Sequence, residues 1–230
     1  MKILAIGAHP DDVEFGVGGL LIKEAGTGSQ IKIVVCSLGE AGSNGTPEGR
    51  KQEATEAAKF YNAEIEFLNF GGDCHITNKP ENGIELAGII REFKPNVVLA
   101  PSLTENQHPD HLTVAKIARD AARYARYGGL QELNSLPVHK IGALYFYPSS
   151  AEWDKRPDII IDVTEQHDKW EQAMKAHTSQ MKTRGYLDLV NSKAVYMGKS
   201  AGVEYAVGLW VNDPVRVDSI SDLKFSSRNY

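Results

Sequence analysis

Residues 3–12 read Ile3-Leu4-Ala5-Ile6-Gly7 and then Ala8-His9-Pro10-Asp11-Asp12. Because the first half of this stretch has no polar alternation, it is typical of a strand buried on both faces of a parallel sheet. Open α/β sheets bind ligands beyond the carboxyl ends of such strands. The stretch therefore predicts an α/β fold whose first strand delivers one imidazole and two carboxylates to the ligand-binding edge.

The spacing of these side chains predicts a metal site. If Pro10 opens the first turn of a helix, a position that proline tolerates, His9 and Asp12 stand three residues apart and can converge on one point. A histidine nitrogen and a carboxylate oxygen suit Zn²⁺, and Asp11 beside them suits a general base acting on water. The structural alternative is that Asp11 and Asp12 cap a helix, since the helix dipole favours acids in the first turn.

A second stretch repeats this arrangement. The apolar run at residues 97–100 is followed, after a loop, by His108-Pro109-Asp110-His111 and a helix with one alanine-rich face. Because parallel strands share one carboxyl edge, the two histidine-bearing loops can meet there. One histidine of the second motif would complete a set of three ligands, which leaves the fourth position of a catalytic zinc open. Spacing alone does not decide between His108 and His111, and Asp110 can orient either imidazole.

Together the two motifs resemble those of the LmbE-like (PIG-L) family of zinc-dependent N-acetylglucosaminyl deacetylases. The first motif extends from Ala8 to Glu14 and is followed by Gly16 and Gly18-Gly19, and the second is His108-Pro109-Asp110-His111. The likeness runs over most of the chain. It implies hydrolysis of an acetamide to acetate and a free amine.

The resemblance implies a role for each charged residue of the motifs. The metal ligands that it implies are His9, Asp12 and His111, holding one Zn²⁺, with Fe²⁺ or another divalent ion as the alternative. It implies that Asp11 is the general base. It further implies that His108 faces the oxyanion and the leaving amine, and that Asp110 tunes His108. Either Asp11 or His108 can protonate that amine.

The length of the chain and the segment His177-Thr178-Ser179-Gln180 look most like one bacterial branch of the family. That branch deacetylates N-acetylglucosaminyl malate for bacillithiol synthesis, and its relatives imply a homo-oligomer, a trimer or a hexamer. The alternative activity is deacetylation of another N-acetylglucosamine compound, such as a chitooligosaccharide. The four-residue segment can reach the cleft or cap a helix, and we favour a structural or subunit role for His177.

Two residues, one at a helix start and one in a loop, are candidates for substrate binding. A glycine-rich loop from Ser37 to Gly49 is predicted to form a wall of the site, with Arg50 beginning the next helix. The resemblance implies that Arg50 contacts the substrate, where its guanidinium can grip a malyl carboxylate; the alternative is a solvated arginine. Asp73 is predicted to meet a sugar hydroxyl with His75 nearby, although such loop residues are often only solvated.

Two further classes of protein compete with the deacetylase. The glycines at 16, 18 and 19 suggest a nucleotide-binding module, but the residues from His9 to Phe15 separate them from the strand, unlike a dinucleotide fingerprint. A metal-dependent phosphoesterase would need a second metal about 4 Å from the first.

Composition sets the remaining expectations. The chain has 230 residues, 42% hydrophobic and 24% charged, which is typical of one globular domain over residues 1–230, with 213–230 as a peripheral extension. A net charge of −5 without a basic run argues against a nucleic-acid partner. No stretch is long and apolar enough to span a membrane, so we expect a cytoplasmic protein that acts on a small molecule. Two cysteines make no disulfide framework and are expected to be reduced.

The coarse pattern predicts a Rossmann-like, mostly parallel sheet flanked by helices on both faces. Besides the strands at 3–7 and 97–100, it predicts strands at 31–36, 64–68, 142–147 and 158–163. It predicts helices at 83–93 and 165–177 in addition to those that follow the two motifs.

Overall fold

The computed structural model describes residues 1–105, 108–149, 156–182, 185–223 and 226–227. The strands are β1 (Lys2–Gly7), β2 (Gln30–Val35), β3 (Glu64–Phe67), β4 (Val97–Pro101), β5 (Ala143–Tyr147), β6 (Ile159–Asp162) and β7 (Ala206–Val211). The helices are α1 (Asp12–Gly26), α2 (Pro47–Ala58), α3 (Pro80–Phe93), α4 (Pro109–Tyr124), α5 (His167–Lys175) and α6 (Tyr186–Ser200).

These strands form one sheet in the order β3-β2-β1-β4-β5-β7-β6. The first five of that order are parallel to one another, and β7 runs antiparallel to both β5 and β6. The strand order reverses between β1 and β4, because the chain builds outward from β1 on one side and then crosses to the other. In an open sheet, the crevice at such a reversal is where ligands bind.

The two faces of the sheet are both covered, as the uninterrupted apolar run of β1 predicts. Ile3 and Ala5 belong to a core that includes buried residues of α1, α5 and α6. Leu4 and Ile6 belong to a second core, built with α3 and α4. Successive side chains of a strand point to opposite faces, so a strand between two helical layers must be apolar at every position. The prediction of an α/β sheet with helices on both faces is confirmed.

The region after residue 128 differs most from its prediction. The strand β7 and the helix α6 were not predicted, and the helix expected over 165–177 is shorter, since a 3₁₀ turn at Thr164–Gln166 precedes α5. An antiparallel strand inserted between β5 and β6 depends on pairing with residues far away in the chain. The apolar residues of α6, however, carried a signal: Val190, Ala194 and Met197 are buried at helical spacing.

The expected extension at 213–230 lies partly outside the described residues, which exclude 224, 225 and 228–230. Its described residues from 213 to 223 are exposed and contain a 3₁₀ turn at Ile220–Asp222. The extension stays a prediction. Among the described helices, none has the length and apolar character needed to cross a membrane.

A pair of glycine substitutions in α1 tests how the helix packs on the sheet. A Cβ at Gly16 would overlap the ring of Tyr147, whose hydroxyl donates to the Ile6 carbonyl oxygen at 2.7 Å. Gly16→Ala is therefore expected to lower the free energy of unfolding by about 1 to 3 kcal/mol, measured by urea denaturation.

Gly26→Ala is the matched control in the same helix. Because no described atom lies within 4 Å of a Cβ at Gly26, alanine is expected to stabilise the helix by roughly 0.5 to 1 kcal/mol. Equal effects of the two substitutions would contradict the close packing of α1 against Tyr147.

Candidate metal centre

The loops that follow β1 and β4 open into one cavity of about 370 Å³ at the reversal of the strand order. His9 comes from the first loop, and His108 and His111 come from the start of α4. The ring centroids of His9 and His111 are 5.3 Å apart, and those of His9 and His108 are 4.4 Å apart. The two motifs therefore meet at one place, although about one hundred residues separate them.

Three side chains form the set that the family resemblance implies for a metal, where spacing alone left the choice between His108 and His111 open. One ligand atom from each of His9, Asp12 and His111 lies within 4.8 Å of the others, and all three residues are buried. The Asp12 Oδ2 atom accepts hydrogen bonds from the backbone N–H groups of Ala8 (2.8 Å) and His9 (3.0 Å). Its Oδ1 atom lies 3.0 Å from His111 Nε2. The backbone thus fixes the carboxylate with one oxygen facing the histidine.

The charges around this set favour a cation. Burial by itself would raise the pKa of Asp12, but His111 and His9 hold that pKa below the usual range of an aspartate. Burial would lower the pKa of His9, yet hydrogen bonds to Asp110 and Asp73 raise it to about 10. The cluster therefore stabilises positive charge in a buried place. Two nitrogen donors and one carboxylate at these distances fit a divalent cation of the kind that zinc sites hold.

Two carboxylates orient the far side of the His9 ring. The His9 Nε2 atom lies 3.2 Å from Asp110 Oδ2 and 3.2 Å from Asp73 Oδ1. The Asp110 carboxylate is closer to His9 than to His108, whose Nδ1 atom is 3.9 Å away. A carboxylate that accepts the second N–H of a histidine fixes the ring and its tautomer. Asp110 is thus placed to act on His9 as well as on His108.

His108 lies at the N-cap of α4 with its side chain 30% exposed. Its Nδ1 atom accepts a hydrogen bond from the Asp110 N–H at 3.3 Å, and its Nε2 atom lies 3.2 Å from Asp73 Oδ1. Burial and the charges of His9 and His111 lower the pKa of His108. The ring therefore presents Nε2 to the cavity beside the three-residue set.

Asp11 lies at the N-cap of α1 in an unusual backbone conformation. Its φ of 123° is in a region that residues other than glycine rarely adopt, so the surrounding contacts must hold it there. The helix begins at Asp12, not at Pro10 as expected, because the chain turns before it becomes helical. Burial and the charge of Asp12 raise the pKa of Asp11 to about 6, against the opposing effect of Arg50.

Arg50 is buried, although we expected it to lie at the start of a helix and to contact the substrate or solvent. Helix α2 begins at Pro47, capped by the Thr46 side chain, so Arg50 is its fourth residue and not its first. The guanidinium donates to the carbonyl oxygens of Gly39 (2.9 Å) and Pro10 (3.0 Å), and its Nη2 atom lies 3.4 Å from Asp11 Oδ2. Arg50 therefore ties two loops together behind Asp11 while still lining the cavity.

Sequence reasoning missed one wall of the cavity. This wall comes from α6 and is formed by Tyr186, Leu189, Val190 and Lys193. Because α6 was not predicted, none of these residues was a candidate. Cys74, next to Asp73 in the loop after β3, also lines the cavity and was considered only for disulfide bonding. Both cysteines are free, as expected.

Of the other candidate residues, Gln180 lines the cavity, and Ser179, His177 and His75 lie outside its lining. Gln180 lines the cavity and donates to the Asn44 carbonyl oxygen at 3.2 Å, whereas Ser179 Oγ donates to Glu53 at 2.6 Å. His177 is fully buried behind the cavity, with Nε2 3.4 Å from Glu14 Oε2. His75 is exposed, and its Nδ1 atom donates to the Asp73 carbonyl oxygen at 2.8 Å.

The fold and the cavity are those of an α/β protein with a candidate metal centre at the strand-order reversal of its sheet. Comparison of its sequence with known families assigns the chain to one of them. Residues 4–122 match the model of the PIG-L family, described as GlcNAc-PI de-N-acetylase, and the chain belongs to that family.

Individual relatives agree with this assignment. Diacetylchitobiose deacetylase of Thermococcus kodakarensis is 30% identical, covering 90% of this chain and 82% of that protein. The crystal structure of a conserved protein from Thermus thermophilus superposes with a TM-score of 0.85 at 30% identity, covering 94% of this chain and 96% of the other. A relative named for a different reaction, 4-oxalmesaconate hydratase of Pseudomonas putida, is 29% identical over 72% of this chain and 69% of its own length.

Proposed function

We propose that this protein hydrolyses the acetamide of an N-acetylglucosaminyl conjugate to acetate and a free amine. The observation that carries the proposal is the convergence, in one cavity, of a buried His9, Asp12 and His111 set with Asp11 and His108. The relatedness to diacetylchitobiose deacetylase supports the same chemistry.

The proposed ligands of one Zn²⁺, or of Fe²⁺ as the alternative, are His9, Asp12 and His111. When bound, such a cation lowers the pKa of a water molecule toward neutrality and polarises the acetyl carbonyl. Asp12 needs no movement to serve as a ligand, because two backbone N–H groups already hold its second oxygen. Asp110 and Asp73 orient His9 through Nε2, which leaves Nδ1 for the ligand role.

The residues around this set carry the proton transfers. Asp11 accepts the proton of the attacking water, and Arg50 holds the Asp11 carboxylate in place from behind. The Nε2 atom of His108 faces the oxygen on which negative charge develops, a role that is typically worth a few kcal/mol of barrier. The leaving nitrogen takes its proton from His108 or from Asp11, since both groups border the same part of the cavity.

Within this class we favour N-acetyl-α-D-glucosaminyl L-malate, the bacillithiol precursor, as the substrate. The cavity wall includes two cationic side chains, Arg50 and Lys193, and their positive charges attract the two carboxylates of a malyl group, while the Arg50 guanidinium keeps its bonds to Gly39 and Pro10. A chitooligosaccharide is the alternative, and the relatedness to a chitobiose deacetylase supports it equally. Asp73 is proposed to reach a sugar hydroxyl, and the homo-oligomer, trimer or hexamer, stays a prediction.

Acetate release from a panel of substrates tests the proposal. We expect the protein with one equivalent of Zn²⁺ to release acetate from N-acetylglucosaminyl malate at a higher kcat/KM than from N,N'-diacetylchitobiose or N-acetylglucosamine. A higher value for diacetylchitobiose would select the alternative substrate. No acetate from any of them, with hydration of 4-oxalmesaconate instead, would move the protein to the hydratase class of its second relative.

A further inference from the structure

Beside the proposed metal centre, a second group of ligand atoms faces the same cavity. It consists of Asp73, Cys74 and His108, from the loop after β3 and the start of α4. A carboxylate, a thiol and an imidazole are the three side-chain types that zinc sites use most. In the reaction proposed above, Cys74 has no role, and Asp73 is a second partner of His9 that is also proposed to reach a sugar hydroxyl.

The distances among these three atoms match the ligand-to-ligand distances along the edges of a tetrahedral zinc site. Asp73 Oδ1 lies 3.2 Å from His108 Nε2 and 3.4 Å from Cys74 Sγ, and Cys74 Sγ lies 3.7 Å from His108 Nε2. Tetrahedral zinc with ordinary Zn–O, Zn–N and Zn–S bonds separates its ligand atoms by about 3.3 to 3.6 Å. One cation can therefore touch all three atoms after shifts of only tenths of an ångström.

The loop holds Cys74 in this position by its backbone. Cys74 has a φ of 64°, in the left-handed region that favours glycine, and it follows Gly71 and Gly72, which also have positive φ values. Its N–H donates to Asp110 Oδ2 at 2.8 Å, and the N–H of Asp73 donates to Glu40 Oε2 at 2.8 Å. These bonds anchor both neighbouring ligands to carboxylates, so the pair is arranged before any cation arrives.

His108 can join this group without leaving its place on α4. Ligation through Nε2 puts the ring proton on Nδ1, which lies 3.9 Å from Asp110 Oδ2, an acceptor within reach of a small ring rotation. Its present bond to the Asp110 N–H, 3.3 Å long, would be given up in that rotation.

We infer that Asp73, Cys74 and His108 form a second site for a thiophilic divalent cation such as Zn²⁺, and that a cation bound there inhibits the enzyme. This site fills after the first because Cys74 must lose a proton and His108 must give up its bond to the Asp110 N–H, whereas two backbone N–H groups already hold Asp12. The Cys74 thiol loses its proton to solvent as the sulfur–metal bond forms. Inhibition follows because the cation occupies His108 Nε2, the atom that faces the developing oxyanion; this consequence rests on the proposed function. The binding itself does not.

Cobalt titration followed by absorption spectroscopy tests the binding. The first equivalent of Co²⁺ should give no thiolate-to-cobalt charge-transfer band, and the second should add one in the near ultraviolet. Cys74→Ser should abolish the band, whereas Cys36→Ala, which removes the buried thiol, should retain it. In the unmodified protein, a second equivalent of Zn²⁺ should also slow alkylation of Cys74 by iodoacetamide, measured by mass spectrometry, which requires no variant to fold.

Activity at one and at several equivalents of Zn²⁺ tests the inhibition. In the parent protein, turnover with excess Zn²⁺ should be up to about 100-fold lower than turnover with one equivalent. This is the size expected when a proton-transferring histidine is withdrawn. In Cys74→Ser, excess Zn²⁺ should lower turnover much less relative to the same variant at one equivalent. A missing charge-transfer band, or a band with the first equivalent, would overturn the second site. Maximal turnover at two equivalents would overturn inhibition and favour a dinuclear centre. No turnover at one equivalent, with the band present at two, would refute the proposed function and leave the site standing.

Discussion

Asp11→Asn is expected to lower the turnover of the zinc-loaded protein by about 10²- to 10⁴-fold, because the amide cannot accept the proton of the attacking water. The metal content should not change, since Asp11 is not among the residues proposed to hold the cation. Folding should not suffer either. The pKa of the partly exposed Asp11 is raised to about 6, so its charge opposes folding at neutral pH, and a neutral side chain removes that cost.

Steady-state kinetics with metal analysis and thermal unfolding of the same samples would check these expectations. Asp168→Asn provides the matched control, because it makes the same change on a fully exposed side chain at the start of α5. Its turnover should stay within about twofold of the parent, as for most surface substitutions. An Asp11→Asn protein that keeps its metal and works at the parental rate would remove Asp11 from the mechanism.

Removal of the cation is the second change from which we expect a large effect. A chelator should reduce turnover to background, and one equivalent of Zn²⁺ should restore it. Chelation should also lower the thermal stability, because an ion that binds only the folded chain stabilises it by about 2.7 kcal/mol at 100 times its Kd. For a chain of this size, that corresponds to a Tm decrease of roughly 5 to 10 °C.

His111→Gln distinguishes the loss of the bound ion from other effects of the chelator. The variant should have low turnover and a Tm that no longer responds to chelation. His139→Gln is the matched control, since His139 Nε2 donates to the Pro95 carbonyl oxygen at 2.7 Å, outside the cavity. The control should respond to the chelator as the parent does. A parent protein that keeps its turnover after its metal is removed would overturn the proposed centre.

The principal parts of the site could be predicted from residues close together in the chain. His9 and Asp12 converge because they are three residues apart at a strand-to-helix junction, and this holds although the helix begins at Asp12 and not at Pro10. The meeting of His9 with His111 follows from a topological rule, since β1 and β4 are parallel neighbours.

Other parts depended on contacts that no local pattern encodes. Arg50 looked like a helix-end cation, but its guanidinium is buried against the carbonyl oxygens of Gly39 and Pro10. Cys74 looked inert until the loop after β3 brought its sulfur to 3.7 Å from His108. The wall supplied by α6 was missed because that helix follows a region with little periodicity.

The parallel sheet, its coverage on both faces and the two motifs at its carboxyl edge could be derived from the amino-acid sequence, because apolar runs and short spacings act over a few residues. The antiparallel insertion of β7, the orientation of Asp110 toward His9 and the grouping of Asp73, Cys74 and His108 became visible only in the folded chain. These depend on how loops from distant strands pack together, and that packing is set by the whole core.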